Sequence, residues 1–200
     1  MFWNAIAGVY DLFENIYNGK VNREFPLHVA SLIEAGDEVL ECACGTGTIS
    51  SKVAPKCKSL IASDFSPKML LEAKKKCAEF DNCVFEEGNI MKLRFEDCVF
   101  DKVIAGNVIH LLDEPFVALE ELLRVCRVGG KVIIPTYVTA EGKANGSVLI
   151  KAFKKMGGNF KAEFNIESYK EFFKKGGYED VEFDVVEGRM GCAIAVIEKK

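Results

Sequence analysis

The stretch Glu38–Ser51, EVLECACGTGTISS, joins a short strand-forming run to a glycine turn and a possible helix start. Val39 and Leu40 begin the strand, and Gly45 and Gly47 lie in the turn. Glycine lets a backbone turn sharply and approach a ligand closely, because it carries no Cβ. A helix that starts after the turn presents free backbone N–H groups and the positive end of its dipole. This order of elements predicts a cradle for a nucleotide-like ligand.

The amino-acid sequence of the turn departs from the dinucleotide-binding fingerprint. Ser50 occupies the third fingerprint position, where close packing of the helix on the strand favours Gly or Ala. Glu41 adds a carboxylate at the end of the strand, which suits a cationic or hydroxyl-bearing ligand better than a pyrophosphate. A single glycine pair is also compatible with a tight turn that binds nothing, so the flanking segments must decide between the two interpretations.

Strand-forming and helical segments alternate on both sides of this turn. After the first strand, further strands are predicted at 59–62, 83–85, 101–105 and 131–135, with helices between them. This alternation predicts a parallel sheet with helices on both faces. Two last strands, 181–186 and 192–197, are joined by a connection so short that they must be antiparallel neighbours. The predicted fold is therefore α/β, a Rossmann-like, doubly wound, mostly parallel seven-stranded sheet with a C-terminal antiparallel hairpin.

Polar residues fall at the carboxyl ends of the predicted parallel strands, where ligands of such sheets bind. They are Glu41, Asp64, Asn89 and Asn107. Asp64 also lies close to the position at which a doubly wound fold places a carboxylate on ribose hydroxyls. The same edge of the sheet is therefore the predicted ligand site.

The helices that flank the sheet follow from apolar periodicity and from capping residues. Helices are predicted at 2–20 and 25–35, the second with Pro26 in its first turn and Gly36 as its stop. Ser66 is the predicted N-cap of a later helix that begins at Pro67. A helix that begins at Pro115 is predicted to stop at the glycine pair 129–130.

Composition limits the classes of partner. The net charge of the 200 residues is -4, with both signs interspersed, so no nucleic-acid partner is expected. No apolar run approaches the roughly 20 residues of a membrane span, and the N-terminus lacks the pattern of a secretory signal. The expected location is cytoplasmic.

Eight cysteines show no repeated CxxC spacing, so no metal site is predicted and buried thiols are the simpler interpretation. Cys42 and Cys44 are the one close pair. Strand alternation would send both side chains to the same face, where a dithiol could capture a thiophilic metalloid. That hypothesis stays open beside the simpler one.

Several motifs in order resemble the class I S-adenosylmethionine-dependent methyltransferases over nearly the whole chain. VLECACGTG resembles the first motif of that family, DFSPKML its second strand and following helix, EEGNI its adenine loop, and LLRVCRVGGKVII its fifth strand. The opening AGVYDLFENIYN is similar to the small-molecule branch of the ubiquinone and menaquinone type. The resemblance implies a single domain, 1–200, with 1–36 as an N-terminal helical lid and 136–164 as an insertion beside an acceptor pocket.

The resemblance implies S-adenosylmethionine as the cofactor and S-adenosylhomocysteine as its product. Glu41 and the backbone from Ala43 through Cys44 and Gly45 to Gly47 would hold the methionine end, and Asp64 the ribose hydroxyls. The adenine would lie among Phe65, Met69, Asn89 and Ile90, while Asn107 and Tyr10 would complete the site. Glu41 and Asn89 replace the commoner Asp, and Ala43 replaces the common first glycine. These changes bear on affinity more than on identity.

Methyl transfer by in-line displacement needs positioning and exclusion of water more than a reactive side chain. Where the acceptor must lose a proton, His110 is the candidate base, although a packing role for this histidine is an equal alternative. Tyr17 and Tyr137 are candidate acceptor contacts. The predicted partner is a small-molecule acceptor.

Two other functions remain compatible with the sequence. A nicotinamide-dependent oxidoreductase is disfavoured by Ser50 and by the antiparallel ending. A non-catalytic subunit that keeps the cofactor site but lacks turnover stays open, because binding residues alone do not establish an acceptor site.

Overall fold

The computed structural model describes residues 2–139 and 161–200, which form one seven-stranded sheet with helices on both faces. The strand order is β3-β2-β1-β4-β5-β7-β6. Strands β1 to β5 are parallel, and β7 runs antiparallel to both β5 and β6. The predicted Rossmann-like α/β fold with a C-terminal antiparallel hairpin is confirmed.

The strands lie close to their predicted positions, and most extend by one or a few residues. Their bounds are β1 Glu38–Cys42, β2 Ser59–Asp64, β3 Cys83–Glu87, β4 Phe100–Ala105, β5 Cys126–Val138, β6 Val181–Val186 and β7 Gly191–Glu198. The helices are α1 Phe2–Ser31, α2 Ser50–Val53, α3 Pro67–Lys76, α4 Pro115–Val125 and α5 Ile166–Lys175. Two short 3-10 helices, Ala54–Lys56 and Ile109–Leu111, complete the described elements.

The N-terminal segment differs from its prediction. It is one helical run that is broken at Asn18, whose backbone is non-helical, and it ends at Ser31. Pro26 therefore lies inside the second half of α1 and not in a first turn. The side chain of Asn18 donates to the carbonyl of Met190 and accepts from its N–H, so a contact 172 residues away holds the break in place.

The glycine pair 129–130 does not stop α4, as the sequence had suggested. The helix ends at Val125, and β5 begins at once with Cys126. The pairing of β4 with β5 changes register between Phe100 and Lys102, so the glycines lie in an irregular part of the strand. Gly130 passes so close to β4 that an added Cβ would lie 2.7 Å from the carbonyl oxygen of Asp101.

Two apolar clusters fill the two faces of the sheet. Alternate residues of β1 divide between them: Leu40 and Cys42 face the cluster under α4 and α5, while Val39 faces the cluster under α1, α2 and α3. Burial of both faces of a parallel sheet is the usual source of its stability. The polar carboxyl edge is what remains open between the helices.

Among the described residues, no helix has the length and apolar character needed to cross a bilayer.

Candidate functional site

A cavity of about 320 Å³ lies at the carboxyl ends of the central strands. It opens where β1, β2 and β4 end, between the glycine turn and the N-terminal part of α1. Its lining is mixed, with polar residues such as Asp64 and Asn89 and apolar residues such as Leu111 and Leu112. Such a mixed lining suits a ligand that has both polar and apolar parts.

The glycine turn brings its backbone to the wall of this cavity. Ala43, Gly45 and Gly47 all have positive φ angles, of 53°, 54° and 78°. A Cβ on Gly47 would lie 3.0 Å from the Cα of Ala73 in α3, so glycine allows the turn to pack on that helix. A Cβ on Gly45 would meet nothing within 4 Å. Gly47 therefore serves packing, whereas Gly45 faces open space.

Asp64 holds the glycine turn and the start of α3 through its carboxylate. One oxygen accepts from the N–H of Gly45 at 2.9 Å, and the other accepts from the N–H of Ser66 at 2.8 Å. Burial raises the pKa of the Asp64 carboxyl, and these backbone donors oppose that rise. The Asp64 side chain lines the cavity, and the two backbone N–H groups hold it in position.

Glu41 lies behind the glycine turn and not on the cavity wall. Its side chain is 1% exposed and accepts a hydrogen bond of 2.5 Å from the hydroxyl of Ser50. Burial raises the pKa of the Glu41 carboxyl from 4.5 to about 8, and the Ser50 hydroxyl opposes the rise. At pH 7 the protonated form of this carboxyl therefore predominates.

Two asparagines at the strand ends have defined orientations. The side-chain oxygen of Asn89 accepts from the N–H of Met91 at 2.9 Å. The side-chain oxygen of Asn107 accepts from the backbone N–H of Tyr137, and the backbone N–H of Asn107 donates to the carbonyl of Pro135. Asn107 has a positive φ of 53°, which asparagine tolerates better than most residues. Both side chains are therefore held at the edge of the cavity by the backbone.

Helix α1 covers the cavity and is tied to the rest of the site by polar contacts. Trp3 and Tyr10 line the cavity, with ring centroids 6.1 Å apart. The side-chain oxygen of Asn4 accepts from the Ser66 hydroxyl at 2.6 Å. Lys76 of α3 pairs with Asp11 of α1 at 2.5 Å.

The Asp11–Lys76 pair extends into the glycine turn. The hydroxyl of Thr46 donates to Asp11 at 2.5 Å, and Lys76 also lies 3.2 Å from the hydroxyl of Thr48. We call these four residues, Asp11, Thr46, Thr48 and Lys76, the clasp. It joins α1, the glycine turn and the end of α3.

Nine of the twelve predicted cofactor residues lie together on the cavity wall. These are Tyr10, Ala43, Gly45, Asp64, Phe65, Met69, Asn89, Ile90 and Asn107. Glu41, Cys44 and Gly47 do not line it and lie in the layer behind. The predicted binding roles of all twelve stay predictions.

His110 does not line the cavity, although its neighbours Val108 and Leu111 do. Its side chain is buried in the 3-10 helix, and burial lowers its pKa to about 4. A histidine of such low basicity is a weak acceptor of a proton at neutral pH. The catalytic role of His110 stays a prediction, and the geometry favours the packing alternative.

The two candidate acceptor residues fare differently. The side chain of Tyr17 lies outside what the structure describes, as do Phe153, Met156 and Phe160 of the predicted insertion. The hydroxyl of Tyr137 donates to the side-chain oxygen of Asn22 at 2.5 Å, and its ring packs edge-on against Phe25. Tyr137 thus holds α1 against β5, and its predicted acceptor contact stays a prediction.

Several residues of the cavity wall were missed from the sequence. They are Trp3, Gly88, Met91, Gly106, Val108, Leu111 and Leu112. Trp3 could have been found, because it lies seven residues before Tyr10 and so on the same helix face. Glycine is required at positions 88 and 106 because neighbouring side chains pack closely there. A Cβ on Gly88 would lie 2.8 Å from Ser63, and one on Gly106 would lie 2.5 Å from Ile49.

The prediction that Cys42 and Cys44 share one face is wrong. The left-handed backbone of Ala43 between them breaks strand alternation, and the two side chains enter different core clusters. Burial raises the pKa of Cys42 to about 12 and that of Cys44 well above its ordinary value. The two thiols are buried in separate clusters, so the geometry favours the simpler interpretation of buried cysteines over a shared dithiol site.

Comparison with known proteins identifies the domain. A family model described as a methyltransferase domain matches residues 40–134. A demethylmenaquinone methyltransferase of Clavibacter sepedonicus is 35% identical over 105 residues, which are 52% of this chain and 43% of that protein. A demethylmenaquinone methyltransferase of Renibacterium salmoninarum is 32% identical over 68% of this chain and 56% of its own length. The chain therefore spans about half the length of these curated relatives.

The fold is shared with a solved structure over the whole chain. A Thermotoga maritima protein, described as an S-adenosylmethionine-dependent methyltransferase and possible histamine N-methyltransferase, superposes with a TM-score of 0.76 at 18% identity. The match covers 100% of this chain and 99% of that one. Given this fold, the matched domain and the quinone-type relatives, the chain belongs to the class I S-adenosylmethionine-dependent methyltransferases, with its similarity in the menaquinone and ubiquinone branch.

Proposed function

We propose that the chain transfers a methyl group from S-adenosylmethionine to a small-molecule acceptor by in-line displacement. The observation that carries the proposal is the cavity at the carboxyl ends of β1, β2 and β4, which gathers nine residues predicted to bind this cofactor. The methyltransferase domain spans the same strands. A cytoplasmic location without a nucleic-acid partner belongs to the same proposal, in keeping with the net charge of -4.

The residues present fit the cofactor. Asp64 offers a carboxylate oxygen for a pair of ribose hydroxyls, and its two backbone donors hold it in place. Phe65, Met69 and Ile90 supply an apolar slot for a planar base, beside the amide of Asn89. The open space in front of Gly45 lets a ligand approach the backbone of the turn, where the methionine end would lie. A chain with a bulky side chain at this point would block that approach.

The protein's contribution to the reaction is positioning and exclusion of water. Bound S-adenosylmethionine supplies an electrophilic methyl group on its sulfonium sulfur. Trp3 and Tyr10 cover the cavity from α1, and we propose that residues 1–36 act as the lid that keeps water out. An apolar part of the cavity wall also disfavours water in the site; it is formed by Val108, Leu111 and Leu112.

The acceptor we propose first is a quinol-type ring, because the curated relatives are named for demethylmenaquinone. The apolar wall at Leu111 and Leu112 is compatible with an aromatic ring. We include residues 136–164 in the acceptor site as a proposal; residues 140–160 lie outside the described part of the chain.

A label-transfer assay tests this function. The purified chain is incubated with S-adenosylmethionine carrying a labelled methyl group and with a reduced, short-chain demethylmenaquinone, and label in the organic phase is counted. We expect transfer that is lost in Asp64→Asn and kept in Asp81→Asn, a matched change at an exposed turn. Cofactor binding without transfer to this acceptor or to a panel of phenols and amines would favour the non-catalytic alternative.

A further inference from the structure

A second cavity, of about 420 Å³, lies beside α1 and has a different set of lining residues from the proposed cofactor site. Its wall is formed by both halves of α1, the glycine turn, α2 and the end of α3. Tyr10 lines the first cavity and the next residue, Asp11, lines the second. The two cavities therefore share α1 as part of their walls, and the methyltransferase function described above uses the first of them.

The charge of this second cavity is positive although that of the whole chain is negative. Arg23, Lys52 and Lys76 line it, and Asp11 is the one acid among the described lining residues. Asp11 is paired with Lys76 in the clasp. Arg23 and Lys52 have no ion pair with any described residue. Among the side chains that the structure describes, these two cations on the cavity wall therefore have no compensating charge.

A buried amide on the same wall also has an unused donor. Asn22 is 7% exposed, and its side-chain oxygen accepts from the Tyr137 hydroxyl. In this orientation of the amide, its nitrogen has no hydrogen-bond partner among the described residues. Buried donors are nearly always satisfied in folded proteins. Because the nitrogen itself has almost no exposed surface, an acceptor on a ligand in the cavity would reach it only after rotation of this side chain.

We propose that the second cavity binds the phosphate group of a phosphate ester. Arg23 would contact the phosphate oxygens with its planar guanidinium fork and Lys52 would face it as a point charge, the two cationic modes that suit phosphate. The hydroxyl of Ser51 and the backbone near Thr48 lie on the same wall. Pro26 and Leu27 form an apolar part of the lining, which leaves room for the organic remainder of the ester.

The test is a titration of the full chain followed by nitrogen-15 NMR at constant ionic strength, with inorganic phosphate as the probe and chloride as the reference salt. We expect saturable shifts of the Asn22 side-chain amide and the Arg23 Nε–H. Arg23→Gln and Lys52→Gln should each weaken binding by about tenfold, because each removes a charge-assisted hydrogen bond. Lys56→Gln, an exposed lysine outside the cavity, should leave binding unchanged.

Two further arms distinguish the source of the phosphate. Glycerol 3-phosphate replaces inorganic phosphate in one, and sedimentation with vesicles of phosphatidylglycerol, compared with phosphatidylcholine, is measured in the other. Tighter binding of the soluble ester, or vesicle binding that depends on Arg23 and Lys52, supports the site and names its source. Absence of saturable binding in every arm, or an equal loss in Lys56→Gln, overturns the proposal. Neither result depends on S-adenosylmethionine binding.

Discussion

At the scale of single residues, the site is built from polar groups whose protonation and backbone conformation depend on burial. Glu41 and Asp64 both end neighbouring strands, yet one is hidden behind the turn and the other lines the cavity. The difference follows from side-chain direction, since Glu41 points into the layer between the sheet and α2, where it meets Ser50. Two carboxyls at one sheet edge therefore have different physical roles.

The buried Glu41 should make stability depend on pH. Its folded pKa of about 8 lies above its ordinary value of 4.5, so the folded state keeps a proton that the unfolded state loses. The free energy of unfolding then falls as pH rises from about 4.5 through 8, by at most about 1.4 kcal/mol per unit. Glu41→Gln should lack this fall. Urea unfolding of both proteins at pH 5, 6, 7 and 8 measures it, and parallel curves would contradict the assignment.

Gly47 should be the less replaceable of the two turn glycines. Gly47→Ala places a methyl group 3.0 Å from the Cα of Ala73 and keeps a positive φ, so we expect a loss of about 1–3 kcal/mol in the free energy of unfolding. Gly45→Ala is the matched control, because its φ is also positive but a Cβ there meets nothing within 4 Å. Chemical denaturation decides, and equal effects in both variants would show that the packing argument fails.

At the scale of elements, polar contacts hold α1 to the domain at several points along its length, in addition to the bond between Tyr137 and Asn22. Asn4 contacts the start of α3, and Asp11 of the clasp contacts Lys76 at the end of α3. Asn18 contacts the loop between β6 and β7. These contacts are polar and partly exposed near the cavity, and buried only at Asn18. We expect the first half of α1 to open more readily than the second half.

The clasp should slow the release of the cofactor product. The side chains of Lys76 and Asp11 are 28% and 38% exposed, so solvent screens the pair and its contribution should be below about 1 kcal/mol. Lys76→Gln should therefore raise the dissociation rate of S-adenosylhomocysteine by about two- to fivefold, with little change in the free energy of unfolding. Lys74→Gln, on the exposed side of α3, should leave the rate unchanged. Stopped-flow displacement measures both, and equal rates in the two variants would contradict a role for the clasp.

The break in α1 should depend on Asn18. Asn18→Ala leaves the backbone N–H and carbonyl of Met190 without their buried partner, at a cost of roughly 2 kcal/mol in the free energy of unfolding. Asn15→Ala, exposed on the same helix, should change it by less than about 0.5 kcal/mol. Thermal denaturation compares them, and a stable Asn18→Ala protein would mean that the break has another cause.

Local signals in the sequence predicted those elements whose ends are chemically marked. The Ser66 cap and Pro67 gave the start of α3, and the Ser66 hydroxyl does accept from the N–H of Met69. Asn165 likewise caps α5 with a reciprocal bond to Ser168. Gly129 and Gly130 were misassigned because a glycine pair marks a helix stop and an irregular strand equally well. Only the contact with Asp101 across the sheet separates the two cases.

At the scale of the whole molecule, the fold follows from the alternation of elements, whereas the site needs long-range contacts. The strand ends place Asp64, Asn89 and Asn107 at one edge, and that much could be predicted from the sequence. The clasp, the second cavity and the layer that hides Glu41 could not, because each joins residues from separate elements. The Cys42–Cys44 prediction failed for a related reason, since one left-handed residue reversed the expected face.

The central claim is that the cavity at the sheet edge binds S-adenosylmethionine, and calorimetric titration with S-adenosylhomocysteine tests it most directly. We predict saturable binding at one site per chain, weakened about tenfold or more in Asp64→Asn, which loses a charged acceptor for the ribose hydroxyls, and unchanged in Asp81→Asn. Circular dichroism confirms that both variants are folded, and NADH should give no saturable heat. A folded wild-type protein that fails to bind S-adenosylhomocysteine, or that binds NADH equally well, would contradict the account.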